Sequence, residues 1–192
     1  DQAEAGEWPA ALWRALEESG LTLAGVDEAV GGTGGSAADA LLVIREAARA
    51  AAPLPLAENF HAACILAELQ RTLPEGPLTV AQGSFEYRDG RLKGTVENVP
   101  FASWAKHLVL VDEHGESYCV AADAVQFTPG TSIAGEPRDT VLIDVETASL
   151  GNIDPHTFTL RGAQLRAVIM SAALESTLQL AVQYAQERSQ FG

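Results

Sequence analysis

The order of residue patterns along the chain predicts an α+β fold. The first third consists of Ala- and Leu-rich stretches with helical spacing, the middle third of short runs of β-formers punctuated by turns, and the last part of one long stretch that returns to helical spacing. This order predicts a helical N-terminal domain over residues 1–76 and a small β-barrel or sandwich over 77–150. From 151 to 192 it predicts one long helix that starts a further, C-terminal helical bundle, truncated after that helix, rather than closing this domain.

In the first segment Trp8, Leu12 and Leu16 recur every four residues before Gly20, giving one apolar helical face and a C-terminal stop. Gly31-Gly32-Thr33-Gly34-Gly35 leads to Ser36, a good N-cap, and then to an Ala-rich helical run over 37–52 that Pro53 and Pro55 end. A third helix is predicted over 57–69, stopped by Pro74, Gly76 and Pro77. The strand candidates are Leu78-Thr79-Val80, Phe85-Glu86-Tyr87, Leu108 to Val111, Tyr118-Cys119-Val120 and Val141-Leu142-Ile143. Asp89-Gly90 and His114-Gly115 supply hairpin turns. Over 158–187, Leu165, Ile169, Ala172, Leu180 and Tyr184 mark a repeating helical face.

With 192 residues the chain is long enough to bury a core, and its 47% hydrophobic and 20% charged residues are those of a folded protein. Its net charge of −14 repels a phosphate backbone, which argues against nucleic acid and anionic membranes as partners. No apolar run approaches the roughly 18 residues that a membrane helix needs, and no signal-peptide pattern opens the chain. A soluble, cytoplasmic protein is therefore expected, with no membrane span and with Cys64 and Cys119 as free thiols. The chain has no initiating Met and stops at a helix-to-loop junction, as a fragment would.

His61, His107, His114 and His156 lack metal-ligand spacing, and no Gly-x-Ser-x-Gly elbow marks a serine hydrolase. The Gly31–Gly35 loop has neither a preceding strand nor a following Lys, so it reads as a tight structural turn rather than a phosphate cradle.

The most specific pattern is the terminal one. Tyr184-Ala185-Gln186-Glu187-Arg188-Ser189-Gln190-Phe191-Gly192 resembles the Tyr-Ala-x-x-Arg-x-Gln-Phe-Gly signature of the acyl-CoA dehydrogenase family, and the helix, β, helix order, ending in the start of a four-helix bundle, is similar to that family's throughout. The resemblance implies an FAD-dependent flavoprotein of lipid metabolism that dehydrogenates an acyl-CoA thioester between its α and β carbons. It also implies a homo- or hetero-oligomer, dimer or tetramer, with another acyl-CoA dehydrogenase-like chain. Arg188, Gln190, Phe191 and Gly192 are the implied cofactor-binding residues, with Arg188 reaching the FAD pyrophosphate across a subunit interface.

Two segments depart from the family. Asp89-Gly90-Arg91-Leu92-Lys93-Gly94-Thr95-Val96 resembles the stretch leading to the flavin-lining strand, but Val96 stands where the family has Lys, and Asn98-Val99-Pro100 stands where it presents an aromatic, an apolar residue and a hydroxyl. No hydroxyl is available there, and Pro100 has no N–H. Val80-Ala81-Gln82-Gly83-Ser84-Phe85 keeps only a Gly-Ser pair of the other wall loop. Both departures fall on the implied flavin face, as in a degenerate subunit that pairs with a complete one, whether catalytic itself or completing the partner's FAD site. The family's catalytic Glu falls beyond Gly192, or in a variant on the helix that ends in the signature, where Glu175 is the candidate. A flavin monooxygenase or oxidase of the same superfamily is a further reading.

Overall fold

Three short helices, two sheets and one long helix follow one another along residues 7–188, the part of the chain that the computed structural model describes. Helix α1 (Ala10–Glu18) starts after Pro9 and ends before Gly20, whose φ of +71° is left-handed. Its buried residue is Trp13, while Leu12 is 42% exposed. The face expected from Trp8, Leu12 and Leu16 is thus rotated, because Trp8 lies before the first helical turn. Trp8 and Leu16 still pack on the core at its edge.

Helix α2 (Ala37–Arg49) opens on the Ser36 cap, where an Asp39 carboxylate oxygen accepts from the Ser36 N–H at 2.7 Å and its hydroxyl at 2.8 Å. Those two hydrogen bonds hold the Asp39 carboxyl below the usual carboxylate range. Helix α3 (Leu56–Glu68) follows Pro55 and buries every residue from Leu56 to Ala63. A helix buried on every face is a core helix, and α3 carries Glu58, Asn59 and His61 into that interior.

Strands β1 (Leu78–Gln82), β4 (His107–Val111), β5 (Glu116–Ala121) and β8 (Gly151–Asn152) form one sheet in the order β1-β4-β5-β8. Strands β2 (Glu86–Arg88), β3 (Arg91–Pro100), β6 (Gln126–Thr128) and β7 (Arg138–Glu146) form another in the order β2-β3-β7-β6. The β1–β4 pair is parallel and the other pairs are antiparallel. Two separate sheets face each other, so of the expected barrel or sandwich the arrangement is the sandwich. Strand neighbours point to opposite faces, so Leu78, Val80, Val109 and Val111 join the helical core while Ala81, Leu108 and Leu110 join the core between the sheets. The first sheet is the middle layer of three.

The β2–β3 turn places Asp89 and Gly90 at φ +52° and +79°, as a two-residue hairpin of the primed kind requires. At the β4–β5 turn Gly115 has φ +90°, and a Cβ there would lie 2.0 Å from the Ile153 carbonyl oxygen. That close approach brings β8 onto β5.

Helix α4 (Pro155–Glu187) begins on Asp154, whose carboxylate accepts from the His156 and Thr157 N–H groups and the Thr157 hydroxyl. Those bonds, the Thr157 hydroxyl's foremost, hold the Asp154 carboxyl below its usual range. Across the helical layer Arg161 meets Glu68 at 3.2 Å and Arg166 meets Glu58. Farther along, Glu175 meets Arg45 at 2.6 Å and Gln179 meets Arg49 at 3.4 Å. The expectation that no segment could span a bilayer needs correction, because α4 is long and apolar enough by length and composition, with a mean hydropathy of 1.3 over an 18-residue window. Its Ala, Leu and Val residues raise that mean although Gln, Ser and Thr interrupt every apolar run. The ion pairs to Glu58, Glu68 and Arg45 seat it on the helical layer.

Candidate functional site

The two segments expected to line a flavin come together at one end of the β-sandwich. The Thr79 hydroxyl donates to the Pro100 carbonyl at 2.5 Å, and the Gly83 N–H donates to Val111 at 3.1 Å. A Cβ on Gly83 would lie 2.9 Å from Val96 Cγ2, and one on Gly94 would lie 2.9 Å from the Phe85 ring and 3.1 Å from the Ser84 carbonyl. The Gln82–Phe85 loop therefore lies flat on β3, and the Phe85 ring covers the strand where glycine leaves room.

At the end of β3 the pairing with β7 shifts between Val96 and Val99, with Asn98 at φ +58° and Phe101 at φ +52°. This bulge leaves Asn98 exposed while Val99 and Phe101 are buried. The Pro100 carbonyl is spent on Thr79, and Pro100 has no N–H to give. Asp139, 1% exposed, fixes the turn by accepting from the Ser103 N–H at 2.8 Å and the Gly130 N–H at 3.4 Å. The Arg138 guanidinium carbon lies 6.0 Å from the Phe101 ring centre. Neither Arg138 nor Asp139 stands out in sequence, since an acidic residue at a strand start is ordinarily a surface residue. The wall that results is covered by Phe85, carries no hydroxyl at Asn98–Pro100 and has no backbone donor at Pro100, so it does not fit an isoalloxazine of this chain's own.

Arg188 sits elsewhere, at the C-terminal end of α4. Its N–H donates to the Tyr184 carbonyl at 3.1 Å and its guanidinium carbon lies 6.0 Å from the Tyr184 ring centre. Every residue from Thr177 to Arg188 is exposed, Leu178, Leu180 and Tyr184 to 64–65%. Of the expected cofactor residues, Gln190, Phe191 and Gly192 lie outside the described residues. The expected helical face through Leu165, Ile169, Ala172, Leu180 and Tyr184 is buried only as far as Ala172; beyond it the polar contacts of Glu175 with Arg45 and Gln179 with Arg49 continue, while Leu180 and Tyr184 stay exposed.

Glu175 is engaged with Arg45, each side chain 39% exposed, which ties α2 to α4. Between α3 and α4 lies a polar seam that residue patterning does not reveal. Glu58, 3% exposed, meets Arg166, and His61, 4% exposed, stacks on Phe158 with ring centres 4.6 Å apart. Burial, with the positive charges of Arg161 and Arg166 beside it, pushes the His61 pKa down to about 4. Glu58 and His61, with Asn59 between them, inside the mostly apolar 56–66 stretch are the signal of it in the sequence.

The glycine-rich loop is a structural turn. The N–H groups of Gly31, Gly32, Thr33 and Gly34 donate to Glu28, Asp27, Leu23 and Val26 carbonyls, leaving none of them for a phosphate. Cys64 and Cys119 are free thiols; burial raises both, Cys119 to about 11, which keeps them protonated and poor nucleophiles.

Residues 1–72 match the family model for the acyl-CoA dehydrogenase N-terminal domain. The chain is 29% identical over 191 residues to Acyl-CoA dehydrogenase IpdE2 of Mycolicibacterium smegmatis, covering 94% of this chain and 55% of that protein. It is 31% identical over 188 residues to the Mycobacterium tuberculosis protein of the same name, with the same coverage. The chain thus spans about half the length of these curated relatives. The crystal structure of the ChsE4-ChsE5 complex from Mycobacterium tuberculosis shares the fold with a TM-score of 0.80 at 22% identity, over 99% of this chain and 62% of that one. XiaF from Streptomyces, in complex with FADH2 and glycerol, shares it with a TM-score of 0.71 at 17% identity, over 95% and 58%.

Proposed function

Because this chain belongs to the acyl-CoA dehydrogenase family, we propose that it serves an FAD-dependent α,β-dehydrogenation of an acyl-CoA thioester as a subunit whose own flavin wall has closed. Its contribution is the signature end of α4, with Arg188 donating to the pyrophosphate of an FAD held mainly by another acyl-CoA dehydrogenase-like chain. Bound FAD would supply the acceptor for hydride leaving the acyl β-carbon.

The observation that carries this reading is the contrast at β3. Phe85 covers the strand at Gly94, and at the Asn98–Pro100 bulge Pro100 gives its carbonyl to Thr79 and has no N–H, while no residue of the three carries a hydroxyl for a flavin ring. Arg188, by contrast, stands at the end of an exposed helix, and a guanidinium's planar fork suits phosphate oxygens. Glu175 is ion-paired with Arg45 and Glu58 is buried against Arg166, as suits a subunit that leaves the base to its partner.

The test is reconstitution. The chain purified alone should carry little flavin, and co-expression with a complete homologue should give acyl-CoA dehydrogenase activity with a single FAD per pair of unlike chains. Full flavin loading and full activity of the isolated homo-oligomer would reject the division of labour and favour a self-sufficient dehydrogenase.

A further inference from the structure

The 33 residues of α4 present two faces. One buries Leu165 and Ala172. The opposite one carries Ala163, Ala167, Ser171, Leu174, Leu178 and Val182, spaced four, four, three, four and four residues apart, which sets them in one row along the helix. All six are exposed, Leu174, Leu178 and Val182 to 47–68%.

The two charged residues between Ala163 and Val182 are engaged away from this row, Arg166 with Glu58 and Glu175 with Arg45. The row itself carries no charge, in a chain whose net charge is −14. Two copies of so acidic a chain repel each other wherever carboxylates face carboxylates, so an uncharged row is where they meet at least cost.

The row is also graded by size, with its first three members small and its last three large. Two copies of α4 laid side by side and antiparallel, about a twofold axis between Ala172 and Ala173, set each large side chain against a small one. Val182 then lies on Ala163, Leu178 on Ala167 and Leu174 on Ser171, and symmetry repeats each contact. Large against small across facing positions lets two helices interdigitate without voids. A parallel pair would set the leucines against each other and leave the alanines facing across a gap.

We propose that a second copy of this chain covers this row, forming an antiparallel α4–α4 dimer. The proposal does not rest on the flavin reading, since the paired turns end at Val182 and leave Arg188 outside them. The row is about 28 Å long and one helix wide, the small end for a specific interface, so the dimer should be reversible with a Kd on the order of 10 μM.

Sedimentation of the full chain at concentrations on either side of that value should show a monomer–dimer equilibrium. Added salt should tighten it, because the bodies repel and the row is uncharged. Leu174→Lys/Leu178→Lys should weaken the dimer about thirtyfold or more, although it makes each copy less negative. Its circular dichroism and melting temperature at low concentration report whether the fold is intact. Leu142→Lys, at an exposed leucine of the second sheet, is the control and should leave the equilibrium unchanged. When the Ala167→Cys and Leu178→Cys chains are mixed and oxidised, disulfides should join unlike chains in preference to like ones. If the lysine variant does not fold, that cross-link decides. The proposal is overturned by a wild-type chain that stays monomeric at about 100 μM, by a lysine variant that dimerises as well as the wild type, or by like-with-like cross-linking.

Discussion

The two halves of α4 obey different rules. From Pro155 to about Glu175 the helix is seated: Leu165 and Ala172 are buried, Arg161, Arg166 and Glu175 are ion-paired across the layer, and Phe158 stacks on His61. From Thr177 to Arg188 its side chains are exposed, although Leu178, Leu180, Val182 and Tyr184 are as apolar as those before them. These turns have the Gln179–Arg49 contact but no buried side chain, and such a helix end is marginal in water, since most helical stability in proteins comes from packing of an apolar face. One half is stabilised by this chain, and the other has the composition of a helix made to be covered.

The sharpest way to break that contrast is at the seam. Arg166→Ala leaves Glu58, 3% exposed, as a buried charge without its partner. Arg166 is 43% exposed, so water relieves part of the penalty, and the loss should fall at the low end for a broken buried pair, about 3 kcal/mol by urea denaturation. Replacing both residues by Leu should restore most of it. If the single variant is no less stable than the wild type, the seam does not hold α4.

His61 gives a second handle of similar size. Its folded pKa of about 4 lies below the ordinary 6.5, so between those values the unfolded chain binds the additional proton. Stability contributed by neutral His61 is therefore full above about pH 6.5 and is lost as the pH falls towards 4, by about 3 kcal/mol in all. His61→Gln should flatten that part of the stability–pH profile, and an unchanged slope would show that His61 is not the titrating group.

On the exposed half the effects belong to assembly. Arg188→Ala should weaken FAD binding by the assembled oligomer about ten- to a hundredfold, the worth of a charge-assisted contact to phosphate, and Arg188→Lys should restore only part. Unchanged flavin affinity in both variants would reject the cofactor role. The smallest effect is expected from Leu178→Gln, which should change the stability of the isolated chain by less than about 0.5 kcal/mol while weakening its assembly with a partner. A loss as large as that of Leu165→Ala, about 2 to 5 kcal/mol, would mean that the distal half packs within its own chain.

Much of the fold is legible in residue order alone. The Ser36 cap, the stop at Gly20, the Asp89-Gly90 hairpin and the long helix follow from local chemistry, in which a side chain and its near neighbours decide backbone conformation. Strand β3 is harder to see, because Gly94 and the polar residues between Leu92, Val96 and Val99 break the apolar signal of a strand exposed on one face. The buried face of α1 differs from the expected one because four-residue spacing cannot tell that Trp8 precedes the first turn. The Asn98–Pro100 departure is visible in sequence as a missing hydroxyl and a missing N–H, but the bulge that buries Val99 and turns Asn98 outward is not.

What the sequence alone determined was the order of layers, the acidic character of the chain and the signature around Arg188, all properties of residue type and short-range spacing. Only the tertiary structure decided that Phe85 closes over β3, that Glu175 pairs with Arg45, and that Glu58 and His61 share a seam with Arg161 and Arg166. Glu175 and Arg45 are 130 positions apart and Arg166 and Glu58 are 108 apart. No local preference encodes such pairs; they exist because packing the helices on the first sheet brings those side chains within reach and removes the water that would otherwise keep them apart.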